Sequence, residues 1–447
     1  MHQGLPTPRR WLAIVSVSAG SVLYTLDATI ANVALPTIAR ALHLSAASSV
    51  LPVSVYNLIM AMALLPLASL GDRLGHRRVF AAGLLLYLVA AVLCFLADSL
   101  PFLLIARAVQ ALAAGSVLSV SMAMVRNIYP ASQLGRGLGF NTIAAASGAA
   151  MAPALGGIIL ALAPWNWVFA AGAPLALLAL AFTAWLPDPE RHAEPFDLAG
   201  MALCAITFGL LIFGFQRLAE GHLTASTAAI FLTGATAAFI LVRHQLGVAL
   251  PVLPVDLLAR PALGLSVAAA ICAVLSSTAL LLNVPFRLSE MGFGPAQIGA
   301  MLAPFAVTTM IVAPASGMLS DRIAPSILGT AGLAIAVIAA VCLAFIPDHP
   351  DYFDIGWRIA LCGAGFGMFF SPNGRLIIGA APHGRAAAAS SLVGTTRMFG
   401  QALGSTLLGG LLALKLAASV PALVAAGLAV LGLLLSAARI ALPGDDA

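Results

Sequence analysis

The sequence predicts an all-α protein that crosses a membrane many times. Of its 447 residues, 61% are hydrophobic and only 8% are charged, and the mean hydropathy is +1.04. A soluble domain needs far more charge than this to cover its exterior. The hydrophobic residues form fourteen stretches of about 20 residues, the length that crosses a bilayer. Because a single span in lipid satisfies its backbone hydrogen bonds internally only as a helix, we expect fourteen helices.

The predicted spans follow one another with short polar connections. In chain order they are 11–35, 48–70, 79–97, 101–125, 137–163, 166–186, 197–216, 223–242, 263–286, 297–319, 326–346, 354–379, 387–413 and 419–440. The first follows Arg9 and Arg10, as a secretory signal would. It is too long for a signal, contains an acid and has no clear cleavage site, so we interpret it as an uncleaved helix.

The basic residues predict the orientation. With the N-terminus inside, fourteen of them fall on the cytoplasmic side and five on the outer side. Cytoplasmic loops carry the excess of Lys and Arg, so we expect an inner (plasma) membrane protein with both termini in the cytoplasm. The net charge of +5 does not indicate nucleic acid, since the basic residues are spread over loops. The expected partners are the lipid bilayer, protons and a lipophilic small molecule, with the chain as a monomer.

An internal repeat predicts the domain organisation. Asp72 and Asp321 stand in similar short motifs after the second and tenth spans, 249 residues apart, and Arg107 and Arg358 are 251 apart. Two adjacent repeats of equal length would be offset by half the chain, and the observed offset is larger. We therefore expect extra sequence between the repeats, in the form of a two-helix hairpin inserted between two six-helix bundles. The predicted units are 1–190, 191–260 and 261–447. Such repeats are typical of secondary transporters, whose substrate site lies between the halves.

Asp27 is the one carboxylate placed deep inside a predicted span. An acid at membrane depth is costly and therefore functional by default, and here it could exchange a proton. It lies about 24 Å from the inner end of the first span in a bilayer core about 30 Å thick, at a depth similar to that of Arg107 in the fourth span. A buried arginine must be neutralised, and Asp27 is the deep acid available; alternatively, Arg107 snorkels to the outer head groups. No metal site or catalytic residue is expected.

A short charged loop connects the second and third spans. It reads GDRLGHRR over residues 71–78 and contains Asp72, Arg73, Gly75, Arg77 and Arg78. Gly75 permits a tight turn, and Asp72 can cap or pair near a helix end. The three arginines lie at the lipid head groups, where they could do no more than fix the topology.

The fifth span is rich in small residues, namely Gly148, Pro153, Gly156 and Gly157. Small residues four apart let helices approach closely, and Pro153 removes a backbone hydrogen bond and favours a kink. Helix packing alone would account for this pattern.

These motifs carry a resemblance to a known family. The loop at 71–78 resembles the signature of the major facilitator superfamily, although Ala68 and His76 replace a usual glycine and a usual basic residue. The element around Asp27, with fourteen spans, is similar to the fourteen-span drug:proton antiporter family within it. The fifth span resembles the exporter-type motif, with Ala152 in place of a glycine. The resemblance covers the whole chain and implies proton transfer through Asp27 and Arg107, with the loop as a conformational latch.

Other residues on the spans are candidates for lining a substrate cavity. They are Tyr24, Tyr56, Asn141, Asn283, Asn373, Arg397 and Gln401. Arg397 and Gln401 lie one turn apart on one helix face, which fits a water-filled cavity and a helix contact equally well. Each residue taken singly could be structural.

Together these features predict a proton-coupled antiporter that exports lipophilic, drug-like compounds by alternating access. It is not expected to be an enzyme or to need a cofactor, and the sequence has no Gly-Lys-Ser/Thr loop for ATP. Three alternatives stay open: an exporter of a specific metabolite or natural product, a proton-linked uptake symporter, and a non-transporting membrane receptor.

Overall fold

The computed structural model describes residues 4–130, 133–187, 197–219, 224–248, 255–347, 350–380 and 386–440 as a bundle of long α-helices. The first six helices are α1 (Thr7–Ala41), α2 (Ala46–Leu74), α3 (His76–Phe95), α4 (Leu100–Ile128), α5 (Leu134–Leu162) and α6 (Trp167–Ala170). The next five are α7 (Ala173–Ala181), α8 (Leu198–Ala219), α9 (Ala225–Gly247), α10 (Val255–Leu258) and α11 (Pro261–Glu290). The last five are α12 (Pro295–Leu319), α13 (Pro325–Ala344), α14 (Tyr352–Gly379), α15 (Ala386–Ala413) and α16 (Val420–Ile440).

Twelve helical segments among the described residues are long and apolar enough to cross a membrane. The all-α, multi-pass architecture is therefore confirmed. The long helices α14 and α15 are not among the twelve. Both contain arginine and several glycines, and α15 is also rich in serine and threonine; these residues lower the hydropathy of the two helices. The predicted number of fourteen spans is not established by hydropathy in the described part of the chain.

The sixth span differs from the continuous helix expected over 166–186. A turn at Ala171 and Gly172 separates α6 from α7, and a short 3₁₀ helix (Thr183–Trp185) follows α7. The sequence explains the break, since Pro174 has no N–H to donate to the carbonyl four residues earlier and glycine weakens a helix. The prediction of one uninterrupted helix is wrong at this position.

The two halves meet mainly at one end of the bundle. Because successive long helices alternate in direction, α1 begins and α16 ends at the same face, which we call the terminal face. Toward the opposite face, Leu282 and Phe286 of α11 share one apolar cluster with Ile38 of α1. Toward the terminal face the two halves have separate apolar clusters. Ile14 belongs to a cluster within the N-terminal half, and Leu263 belongs to a cluster within α10 and the C-terminal half. The described structure is thus closed at the opposite face.

Helices α8 and α9 form a hairpin on the seam between the halves. α8 contacts both α2 and α15; the ring of Phe208 lies 5.3 Å from that of Phe399 on α15. α9 packs on α8 and leaves Leu232, 72% exposed, on its outer side. The hairpin is thus peripheral. The domain boundaries predicted from the repeat stay a prediction, and the boundary at 190/191 lies outside the described residues.

Asp197 joins the two ends of this hairpin at the terminal face. Its Oδ1 accepts the N–H of Gly200 at 2.8 Å and so caps the start of α8. The same carboxylate binds His244 Nε2 at 2.6 Å and Gln245 Nε2 at 2.8 Å, both on α9. These bonds hold the end of α9 against the start of α8.

Candidate functional site

Asp27 of α1 and Arg107 of α4 meet inside the N-terminal half. Arg107 Nη1 lies 3.3 Å from each carboxylate oxygen of Asp27, and both residues are 1% exposed. The alternative in which Arg107 snorkels to the head groups is therefore wrong. A charged pair buried this deeply is stabilised only if further hydrogen bonds satisfy the remaining polar atoms.

Two residues that the sequence did not single out supply such bonds. The Tyr87 hydroxyl on α3 donates to Asp27 Oδ1 at 3.0 Å. Arg107 Nη1 also donates to Gln110 Oε1 at 2.8 Å, and Gln110 Nε2 donates to the Phe169 carbonyl on α6 at 3.2 Å. Gln110 could have been found from its position one turn after Arg107. Tyr87 stands in an apolar span and gave no such signal.

Aromatic rings cover the guanidinium of Arg107. Its Cζ atom lies 4.1 Å from the centroid of Tyr56 on α2 and 5.0 Å from that of Phe169. A cation over an aromatic face is attracted to the ring quadrupole, and the attraction grows when both are desolvated. The site therefore draws on five helices: α1, α2, α3, α4 and α6.

Close helix packing brings Tyr87 to this site. At Gly83, one turn before Tyr87, an added Cβ would lie 2.7 Å from Ser116 Cβ and 3.0 Å from the carbonyl oxygen of Ala113. Only a glycine leaves room for α3 to approach α4 this closely. The separation of these helices thus places the tyrosine hydroxyl within reach of Asp27.

The charged loop at 71–78 lies at the terminal face. Gly75 has a φ of 100°, a conformation that favours glycine, and its N–H bonds to the carbonyl of Gly71 at the end of α2. Asp72 Oδ1 lies 2.9 Å from His76 Nε2, and the Asp72 side chain is 68% exposed. The observed partner of Asp72 thus belongs to its own half, while Arg77 is half-buried and Arg78 exposed. In the second copy of the motif, Asp321 forms an ion pair with Arg375 of α14.

The glycines of the fifth span face two different helices. An added Cβ at Gly148 would lie 2.4 Å from Thr25 Oγ1, and one at Gly156 would lie 3.0 Å from a side-chain carbon of Ile30. Both glycines therefore bring α5 against α1 within the N-terminal half.

Gly157 instead faces α12 of the other half. An added Cβ there would lie 2.8 Å from the carbonyl oxygen of Pro295. Across this contact, an added Cβ at Gly299 would lie 2.3 Å from the carbonyl oxygen of Pro153. The backbones of α5 and α12 thus touch near the opposite face. The sequence did not indicate Gly299.

Four of the cavity candidates lie near the middle of the interface between the halves. Tyr24 and Tyr56 pack in one apolar cluster with Met398 of α15. The neighbouring Arg397 is exposed and within electrostatic range of Tyr24. Gln401, a turn further along α15, is half-buried.

The three asparagine candidates are buried. Asn141 Oδ1 accepts the hydroxyl of Ser21 at 2.9 Å. Asn373 Oδ1 accepts Arg439 Nη1 at 2.8 Å, and its Nδ2 donates to the Ser266 carbonyl at 3.1 Å. Asn283 is buried on α11, 5% exposed. The bonds of Asn141 and Asn373 favour the structural alternative for these two residues. Among the described residues, no group of three His, Cys, Asp or Glu side chains could hold a metal ion.

Comparison with known proteins places the chain in a family. It matches the model of the Major Facilitator Superfamily over residues 17–405 and again over residues 266–446. The chain belongs to this superfamily. It is 38% identical to the uncharacterized transporter YebQ of Escherichia coli (strain K12), over 90% of this chain and 89% of that protein. It is 29% identical to the multidrug resistance protein Stp of Mycobacterium tuberculosis, over 91% of this chain and 77% of Stp.

The fold of this superfamily member agrees with a solved transporter. A bacterial homolog of the human lysosomal transporter Spinster superposes with a TM-score of 0.69 and 16% identity, over 98% of this chain and 100% of that one. At this identity the likeness shows the fold. The predicted superfamily is confirmed, and the protein is a membrane transporter of that superfamily.

Proposed function

We propose that this superfamily member is a proton-coupled antiporter that exports lipophilic, drug-like compounds by alternating access. The observation that carries the proposal is the buried Asp27–Arg107 pair with Tyr87 inside a membrane-spanning bundle. An acid held at membrane depth beside a cation can change its charge when it takes up a proton. The similarity to Stp, a multidrug resistance protein, supports export of drug-like compounds.

Tyr56 connects this pair to the interface between the halves. When Asp27 is ionised, it attracts Arg107, which stacks on the ring of Tyr56. That ring belongs to the cluster that contains Met398 of the other half. Protonation of Asp27 removes the attraction, so Arg107 and the ring can move and change the packing against α15. Substrate in the interface favours the opposite arrangement, which links the two events.

The proposed topology has fourteen spans, with α14 and α15 crossing the membrane beside the twelve apolar segments. Two six-helix bundles flank the α8–α9 hairpin. The bias of fourteen basic residues against five supports a cytoplasmic terminal face, with both termini in the cytoplasm of a plasma (inner) membrane protein. In this orientation the closed opposite face is the outer face.

The loop at 71–78 is proposed to act as a latch. In the arrangement closed at the opposite face, Asp72 is exposed and bound to His76. Closure of the terminal face would bring the other half toward this loop, where Asp72 and its neighbouring arginines could form new charge pairs. Such pairs would stabilise the second arrangement of the halves.

We further propose that the protein works as a monomer and needs no cofactor, since the proton gradient supplies the energy. The test is transport by purified protein in proteoliposomes with an imposed pH gradient, using fluorescent compounds that differ in charge, such as ethidium and Nile red. An antiporter moves the compound against the direction of proton flow. Movement in the same direction would indicate a symporter, and the absence of any flux across the panel would favour a specific exporter or a receptor.

A further inference from the structure

The break in the sixth span lies directly against the buried charge pair. In a continuous helix, the carbonyl of Phe169 would accept the N–H of the residue four positions later. The turn at Ala171 and Gly172 interrupts the helix there, and Gln110 Nε2 donates to this carbonyl at 3.2 Å. At the break, the Phe169 carbonyl thus accepts a hydrogen bond from Gln110 instead of from its own helix. Gln110 Oε1 in turn accepts Arg107 Nη1 at 2.8 Å.

Gly172 also makes room for the hydroxyl that binds Asp27. An added Cβ at Gly172 would lie 2.2 Å from the Tyr87 hydroxyl oxygen and 2.9 Å from Tyr87 Cζ. Gly172 has a φ of −78° and a ψ of −15°, which any residue can adopt. The turn conformation therefore does not require glycine at this position. The space occupied by the Tyr87 side chain is what excludes any larger residue.

We propose that the broken sixth span positions the Asp27–Arg107 pair, with Gly172, Tyr87 and Gln110 as positioning residues. Gly172 admits the tyrosine hydroxyl, which donates to the ionised carboxylate, and the freed carbonyl orients Gln110 against Arg107. This inference rests on the proposed function, because the position of the carboxylate matters for transport only if Asp27 exchanges a proton.

The consequence is that the sixth span sets the pH at which Asp27 takes up its proton. A hydrogen bond to a charged group is stronger than one between neutral groups. The Tyr87 hydroxyl therefore stabilises the ionised form of Asp27 relative to the protonated form. Without that bond the carboxyl stays protonated to a higher pH.

The test follows the carboxyl group itself and needs no substrate. The full-length protein in lipid vesicles is titrated while infrared difference spectroscopy records the C=O band of protonated carboxyl groups. The Asp27 component is identified by its loss in Asp27→Asn. In Tyr87→Phe, which removes only the hydroxyl, the midpoint should move upward by about 1 to 2 pH units.

Gly172→Ala should move the midpoint in the same direction, because its methyl group displaces the hydroxyl. The double variant should show no larger shift than Tyr87→Phe alone, since both changes remove the same bond. Matched controls are Tyr352→Phe, at the exposed start of α14, and Gly427→Ala, where an added Cβ meets nothing within 4 Å. Both controls should keep the wild-type midpoint.

The outcomes separate the two proposals. If Asp27→Asn removes the titrating band but Tyr87→Phe keeps the wild-type midpoint, the positioning role is refuted and the proton site stands. If Asp27→Asn removes no band and gradient-driven transport persists, the proposed function fails. If Gly172→Ala does not fold, Tyr87→Phe decides alone, because it keeps the shape of the side chain. Lower thermal stability with an unchanged midpoint would show a packing role only and would refute the proposal.

Discussion

The contact between α5 and α12 predicts that a single methyl group on Gly299 opens the transporter at the opposite face. The added Cβ would lie 2.3 Å from the Pro153 carbonyl oxygen, far inside an ordinary contact between carbon and oxygen. The atoms nearest to this added Cβ belong to the backbone of Pro153 and Gly157. Because a backbone cannot rotate away as a side chain can, the two helices themselves must separate. Overpacking of this kind costs about 1 to 3 kcal/mol. The strain is present only while the two halves touch.

The expected result of Gly299→Ala is a shift away from the arrangement closed at the opposite face. A change of about 1 to 3 kcal/mol alters the ratio of the two arrangements by about fivefold to more than a hundredfold. Spin labels at Leu162 and Ala296, which are exposed near the facing ends of α5 and α12, report the separation. Pulsed electron paramagnetic resonance should show a new population at longer distance.

Gly148→Ala is the matched control for this experiment. Its added Cβ would lie 2.4 Å from Thr25 Oγ1, a clash of similar severity within one half. It should lower thermal stability while the distance between the labels stays the same. An unchanged distance distribution in Gly299→Ala, or an equal change in both variants, would refute the assignment of this contact to closure between the halves.

Three further predictions concern other charged groups. Burial raises the pKa of Asp197, but its hydrogen bonds with His244 and its other partners outweigh this and leave the pKa below its ordinary value. The ionised carboxylate therefore stabilises the fold above about pH 4, and this effect is lost as the pH falls through the lowered pKa. Asp197→Asn should lower the melting temperature at pH 7, and the difference from the wild type should shrink as the pH is lowered below about 4. Arg107→Ala should lower the free energy of unfolding by about 3 to 5 kcal/mol, since it leaves the carboxylate of Asp27 buried without its cation. Adding Asp27→Asn to this variant should recover part of the lost stability. Asp72→Asn should slow transport and change the balance of the two arrangements while substrate binding survives, and an unchanged transport rate at normal expression would reduce the loop to a topology signal.

The sequence predicts that Asp27 and Arg107 lie at similar depth, but it leaves open whether they pair or whether Arg107 snorkels to the head groups. Each is a lone charge within an apolar stretch, and the rise of a helix places both at similar depth. Gln110 can be inferred from its position one turn after Arg107 on the same helix, but Tyr87 cannot, because its role depends on which helices are neighbours. A tyrosine in an apolar span looks like any other membrane residue until its hydroxyl is seen beside the carboxylate.

The glycines show a similar division. Their spacing on the fifth span predicts close approach of helices, and close approach is observed. The sequence does not say that Gly156 faces α1 while its neighbour Gly157 faces the other half. Hydropathy does not predict the break at Gly172, because an apolar stretch of about 20 residues is expected to form one helix. Asn373 has the polarity of a cavity residue in the sequence, and its partner Arg439 lies 66 residues further along the chain, so their contact is not visible before the fold is known.

Proton-driven transport by Asp27→Asn tests the central claim most directly. The amide keeps the shape of the side chain and cannot ionise, and a neutral amide is cheaper to bury than an unpaired carboxylate. Purified Asp27→Asn protein in proteoliposomes should remain folded but lose transport of the fluorescent compounds under an imposed pH gradient, while Asp27→Glu should retain part of it. Wild-type rates of gradient-driven transport in Asp27→Asn would contradict the account and would require a different proton-carrying group.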